Sequence, residues 1–187
     1  AFYDEEYDIL VASEEEDQIY EVSNGKTVYR TGHQVSTLIQ KLPLKGTVDL
    51  LDFGCAKSST IRALCQERPN VVPHLFDVSE RYIPFWSGFA QPENWSVRSP
   101  KPDWSSRFDV VTSFFSLEHI PQPGEAIRTI ADLLKPGGTL YAIVPNVLTN
   151  IADLIVVDHC NHFTAPSIAR LINDSGLEVV EIDEQAH

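Results

Sequence analysis

The sequence contains no methionine and only three cysteines, Cys55, Cys65 and Cys160, in 187 residues. An odd number of distant thiols with no Cys-x-x-Cys pair argues against a disulfide framework and against a structural zinc site. No apolar run is long enough for a membrane span, and the acidic N-terminus is the opposite of a secretory signal, so a cytoplasmic protein is expected. Basic residues are scarce: 14 Lys and Arg stand against 27 Asp and Glu, for a formal net charge of −13. Residues 1–21 hold nine acids and no base; the remainder, with 18 acids and 14 bases, carries an ordinary −4. A chain this acidic, with no basic stripe, is a poor grip for nucleic acid or an anionic membrane. The missing methionine and the start at Ala1 lead to the expectation that the chain is part of a longer one.

What remains is a folded composition, 43% hydrophobic and 22% charged, at a length that suits one domain. Residues 1–30 read as an acidic extension and 31–187 as the domain proper. In the extension, Gln18–Val22 and Thr27–Arg30 flank Ser23-Asn24-Gly25-Lys26, and Asn-Gly between alternating segments predicts a hairpin. Phe2, Tyr3, Tyr7, Tyr20 and Tyr29 give it apolar anchors, enough for part of it to fold over a substrate opening; a solvated acidic face is the simpler reading. Beyond a helical stretch over 31–42, apolar runs alternate with amphipathic ones. Strands are expected at Thr47–Phe53, Val71–Phe76, Trp95–Arg98, Phe108–Phe115, Thr139–Val144 and Leu177–Ile182. Helices are expected at Ser58–Glu67, Ser79–Phe89 and Gly124–Lys135, with a last one capped by Thr164 and stapled by Phe163 and Ile168. This alternation predicts an α/β fold with a doubly wound, mostly parallel sheet.

In such sheets ligands bind beyond the carboxyl ends of the strands. The first strand–helix turn is Asp52-Phe53-Gly54-Cys55-Ala56-Lys57-Ser58, and Asp77 ends the second strand 23 residues after Gly54. Gly54 permits a tight turn, and a carboxylate at Asp77 can accept both hydroxyl hydrogens of a ribose. The pair is equally open to a plain reading as a turn and a helix cap. A dinucleotide needs G-x-G-x-x-G at the helix N-terminus, and Ala56 and Ser58 break that pattern. Asp52 suits a cationic amine better than a pyrophosphate. A ligand with a ribose, an ammonium and a sulfonium, S-adenosylmethionine, therefore fits best.

The segments LLDFGCAKSS, HLFDVSE, FDVVTSFFSLEHI, LLKPGGTLYAIVPN and DHCNHFTAPSIARLINDSGLEVVEI resemble, in order and spacing, the successive motifs of class I S-adenosylmethionine-dependent methyltransferases. The likeness covers about residues 47–183. It implies a Rossmann-like sheet of seven strands with the last antiparallel, and the chain ends at His187 before that strand. It also implies that Gly54, Cys55 and Ala56 contact the cofactor, that Asp77 with Val78 beside it takes the ribose, and that Ser113 and Phe114 line the methionine portion. Arg30 would pair with the cofactor carboxylate, or else with nearby acids. Two departures stand out. Ala56 and Ser58 replace glycines, costing about 1 kcal/mol or more if Ala56 has positive φ. Ser99-Pro100 supplies no acid or amide to read adenine, leaving that to backbone groups.

Methyl transfer needs a nucleophile aligned with the S–CH₃ axis and, in many cases, a base. The candidates are His119, Asp158, His159 and His162; their alternatives are a hydrogen-bonded turn histidine and a polar loop that caps the last helix. A metal held by His159, Cys160 and His162 matches no established spacing, so no metal is expected. The expected function is methylation of a small-molecule acceptor, sugar-like or natural-product-like, at oxygen. The alternatives are a non-catalytic α/β module and, less favoured, an NAD-dependent dehydrogenase.

Overall fold

The computed structural model describes residues 17–23 and 25–184. The anchors Phe2, Tyr3 and Tyr7 and the turn residue Asn24 lie outside them. The chain divides into two compact units, Ala1–Lys101 and Pro102–His187.

In the first unit, β1 (Ile19–Ser23) and β2 (Lys26–Tyr29) form the antiparallel hairpin that Asn-Gly predicts. Helix α1 (Arg30–Lys41) follows directly and buries Gln34, Val35, Thr37 and Leu38. That spacing is one face of an amphipathic helix. Tyr20 stacks on His33 with ring centroids 3.8 Å apart, tying the hairpin to α1. Strands β3 (Val48–Phe53), β4 (Val71–Asp77) and β5 (Trp95–Val97) lie parallel, with β4 in the middle. Leu50 and Leu51 are both fully buried although they point to opposite faces, as in a strand covered on both sides. Helix α2 (Ser59–Glu67) connects β3 to β4. The helix expected over Ser79–Phe89 is reduced to a 3₁₀ turn, Glu80–Tyr82, and the single-turn α3, Ile83–Trp86. Pro84 can sit in a first helical turn but cannot donate to an earlier one, so the helix starts late and stops within four residues.

In the second unit β6 (Phe108–Phe114) pairs in parallel with β7 (Leu134–Ile143). Helix α4 (Pro123–Leu133) connects them and buries Ile127, Ile130 and Leu133. The expected boundary is displaced here: β7 begins as α4 ends, and Lys135–Gly138 form a bulge within it, since Phe108 pairs with Leu134 but Val110 with Thr139. A Cβ on Gly138 would lie 2.9 Å from the Phe108 carbonyl oxygen and 3.0 Å from that of Lys135. Helix α5 (Ala165–Asp174) starts at a capping box, with the Ser167 N–H on the Thr164 hydroxyl and the Thr164 N–H on the Ser167 hydroxyl. Phe163 and Ile168 share a buried cluster with Leu117 and Ile127, as the staple predicts. The strand expected at Leu177–Ile182 does not form: the segment makes no ladder with any described strand, and Val180 stays 94% exposed. Alternating apolar residues alone do not make a strand without a paired neighbour. Among the described residues no helix is long and apolar enough to cross a membrane.

The bulge gives a direct test of this packing. Gly138→Ala pushes a methyl against two main-chain carbonyls, so urea denaturation should show a loss of about 1–3 kcal/mol. Unchanged stability would mean that the β6–β7 bulge is looser than described.

Candidate functional site

The turn after β3 is built from residues whose conformations the sequence does not advertise. Gly54 has φ +71°, and Ala56 and Ser58 follow with φ +44° and +54°. Only glycine enters that region freely; for an L-residue it costs roughly 1–2 kcal/mol. Hydrogen bonds offset the strain. The N–H groups of Gly54 and Cys55 both donate to the Phe76 carbonyl, at 2.8 and 3.1 Å. The Ala56 N–H donates to Asp77 Oδ2 at 2.8 Å, and the Trp86 indole N–H to the Ala56 carbonyl at 2.7 Å. Ser58, directly before α2, turns its hydroxyl onto Asp52 Oδ2 at 2.6 Å, with both residues buried.

Asp77 ends β4 at 8% exposure, and its other oxygen accepts the Ser79 N–H at 3.0 Å. A carboxylate offers about four acceptor positions in all. Burial pushes the Cys55 thiol well up, helped by the negative Asp52 and Asp77, so Cys55 behaves as a small apolar group. It packs with Leu75, Tyr82, Trp86 and Ala90.

Asp52 at the end of β3 and Asp77 at the end of β4 are thus bonded to the loop that carries Gly54, Cys55 and Ala56. Val78 stands beside it, about half exposed. Ser99 lies exposed in the turn after β5, its bonds going to Val97 and Ser96 and not to this loop. Arg30 opens α1, where its main-chain N–H donates to the Gln18 carbonyl; burial lowers its pKa while Asp17 works against that.

In the second unit Ser113 is fully buried near the end of β6, with no hydrogen-bond partner for its hydroxyl among the described residues, and Phe114 leans on Tyr141. The 3₁₀ turn Leu117–His119 comes next. The DHCNH loop is fastened to it: the Asn161 N–H donates to the Glu118 carbonyl at 3.0 Å, and the Asn161 amide to the Ile120 carbonyl at 2.7 Å. This brings together all four candidate bases. His119 Nδ1 lies 3.1 Å from the Asp158 carbonyl oxygen and 3.4 Å from its carboxylate. The His119 and His159 rings meet edge to face, 4.6 Å between centroids.

Two acids in this cluster escape the sequence reading. Asp153, 1% exposed, accepts from His159 Nδ1 at 2.6 Å and His162 Nδ1 at 2.9 Å. Burial works to raise its pKa, but the hydrogen bonds from His162 and His159 prevail and hold it below the ordinary range. Glu118, also 1% exposed, has no hydrogen-bond partner for either carboxylate oxygen among the described residues. Burial, with Asp153 and Asp158 close by, raises its pKa to about 7. His119 is driven down, chiefly by burial and against the pull of Asp158, and so is neutral at pH 7. The available signals were faint: Glu118 adjoins His119, and Asp153 interrupts the apolar run Ile151–Ile155.

The sequence matches the family described as a methyltransferase domain over residues 28–182. A ubiquinone biosynthesis O-methyltransferase of Coxiella burnetii is 32% identical over 108 residues, which are 54% of this chain and 45% of that protein. The chain therefore spans less than half of that relative. Among solved structures, the [4+2]-cyclase SpnF superposes with a TM-score of 0.69 at 18% identity, covering 88% of this chain and 64% of its own. A Haemonchus contortus phosphoethanolamine N-methyltransferase in complex with S-adenosyl-L-methionine gives 0.62 at 18% identity, covering 77% and 36%. At these identities the superpositions establish the fold, a Rossmann-like α/β arrangement.

Glu118 makes stability depend on pH. Below about pH 4 it is protonated in both the folded and unfolded states and contributes nothing. Between its ordinary 4.5 and about 7 the folded state holds the proton more tightly, so stability falls as pH rises. The full loss, about 3 kcal/mol, is reached above pH 7. In chelator-containing buffer, Glu118→Gln should therefore be more stable than wild type at pH 8 and nearly equal at pH 4; parallel pH profiles in urea denaturation would contradict this.

Proposed function

The chain belongs to the class I S-adenosylmethionine-dependent methyltransferase family, and from that premise we propose that it transfers a methyl group from S-adenosylmethionine to an oxygen of a small-molecule acceptor. The observation that carries this reading is the Asp77 carboxylate, set at a strand end against a left-handed loop. The cofactor fits the residues present. Asp77 supplies acceptors for two ribose hydroxyls, and the cluster of Cys55, Tyr82 and Trp86 with Phe85 and Phe89 supplies apolar surface for a base. Asp52 serves the ammonium group and Arg30 the carboxylate, while Val78 and main-chain groups near Ser99 flank the adenine. When bound, S-adenosylmethionine provides a methyl carbon made electrophilic by the attached sulfonium.

The second unit carries the proton chemistry. A main-chain carbonyl can only accept, so the hydrogen on His119 sits on Nδ1, facing Asp158, and Nε2 keeps its lone pair. The ionised Asp153 fixes His159 and His162 in the same tautomer. His119, neutral at pH 7, takes the proton from the acceptor hydroxyl, with Asp158 steadying the imidazolium that forms. The name of the Coxiella burnetii relative supports an oxygen acceptor. Residues 31–187 make up the cofactor-binding domain in this reading, with 1–30 as an extension.

Isothermal titration with S-adenosylhomocysteine tests the assignment, with NAD as the control. Binding by the first and none by NAD is expected. Asp77→Ala should weaken it by about 100-fold or more, the worth of two hydrogen bonds to a charged group. Unchanged affinity in Asp77→Ala would remove the ribose assignment. No binding by wild type would favour a non-catalytic α/β module.

A further inference from the structure

Proton transfer alone does not account for Glu118. A carboxylate at 1% exposure with neither oxygen hydrogen-bonded among the described residues is costly unless something positive meets it. One ligand atom from each of Glu118, His119 and His159 lies within 4.8 Å of the others. Both rings are held through Nδ1, His119 by the Asp158 carbonyl at 3.1 Å and His159 by the Asp153 carboxylate at 2.6 Å. Each partner only accepts, so Nε2 is the lone-pair nitrogen on both rings. Metal-binding histidines are oriented this way, with the distal N–H on a carboxylate or carbonyl.

We infer that Glu118, His119 and His159 form a binding site for one divalent transition-metal ion of the zinc type. Two imidazoles and one carboxylate suit zinc, whereas calcium and magnesium favour oxygen-only cages. Tetrahedral zinc with bonds of about 2.0–2.1 Å sets its ligand atoms about 3.3 Å apart. The 4.8 Å within which one ligand atom of each residue lies exceeds that spacing by about 1.5 Å. Three protein ligands leave a fourth position for water or an acceptor oxygen. Asp153 and Asp158 add negative charge behind the ligands. The set differs from the trio His159, Cys160 and His162: the Cys160 thiol donates to the Glu118 carbonyl at 3.4 Å, and His162 lies outside the cluster of ligand atoms. This departs from the expectation of no metal, and it goes beyond the cofactor assignment, since the ion binds without cofactor.

The test is Zn²⁺ titration of chelator-stripped full chain by calorimetry, with bound metal counted after gel filtration and Co²⁺ absorption reporting geometry. One ion per chain is expected, with the intense visible bands of tetrahedral Co²⁺. Glu118→Gln and His159→Ala should each lower affinity by about 100-fold or more, and Asp153→Asn by about 10–100-fold. Cys160→Ser should bind as wild type does. No binding by wild type, or equal affinity in Glu118→Gln, overturns the site. Glu118→Gln changes no shape and removes a buried charge, so it keeps the test decisive even if His159→Ala fails to fold.

Discussion

The Asp77 carboxylate holds the loop after β3 in a conformation its residues resist. Ala56 and Ser58 stand in left-handed backbone at φ +44° and +54°, where glycine is the usual occupant. One bond from Ala56 to Asp77 and one from Ser58 to Asp52 fix them there. A hydrogen bond to a charged group contributes about 1.5–3 kcal/mol, which matches the strain of roughly 1–2 kcal/mol at each residue. The balance is local: the carboxylate proposed to bind ribose also shapes the loop, so a ligand adding to Asp77 meets a geometry already set. Trp86 closes the arrangement from the other side through its bond to the Ala56 carbonyl.

A second carboxylate organises the other unit in a similar way. Asp153 is buried in the 3₁₀ helix Ile151–Ile155, whose other side chains are largely aliphatic and exposed, among them Ile151, Leu154 and Ile155. Its two oxygens fix His159 and His162, and Asn161 between them anchors the loop to the turn that carries Glu118 and His119. Imidazole tautomers, ring orientation and the distance to Glu118 all follow from these few bonds. The proposed proton transfer by His119 and the proposed metal site at Glu118 draw on this one arrangement as alternatives, since an ion there would occupy the lone pair that a free base would use.

Much of the fold is legible because its signals are local. The apolar run of β3, the i, i+3 spacing of Ile127 and Ile130, and the Thr164 cap each specify an element without reference to distant residues. The misplacements come where tertiary pairing decides. Lys135–Gly138 read as a helix stop, yet β7 absorbs them as a bulge because Phe108 pairs ahead of them with Leu134. Leu177 and Val179, like Val180 and Ile182, flank an acid as in a strand but have no paired neighbour among the described strands. In the candidate sites, Gly54, Asp77 and His119 are found from residue type and position. Positive φ at Ala56 and Ser58 is not, since neither residue favours it. Glu118 and Asp153 are hidden for another reason: a carboxylate among apolar neighbours reads as solvated until the loop of Asp158–His162 folds against it.

The most direct measurement is a crystal structure of the chain with S-adenosylhomocysteine. The ribose hydroxyls should lie within hydrogen-bond distance of Asp77, with the Ala56 and Ser79 amide bonds retained and Ala56 and Ser58 still at positive φ. An adenosyl group bound away from Asp77, or a loop that moves to negative φ to admit it, would contradict the account.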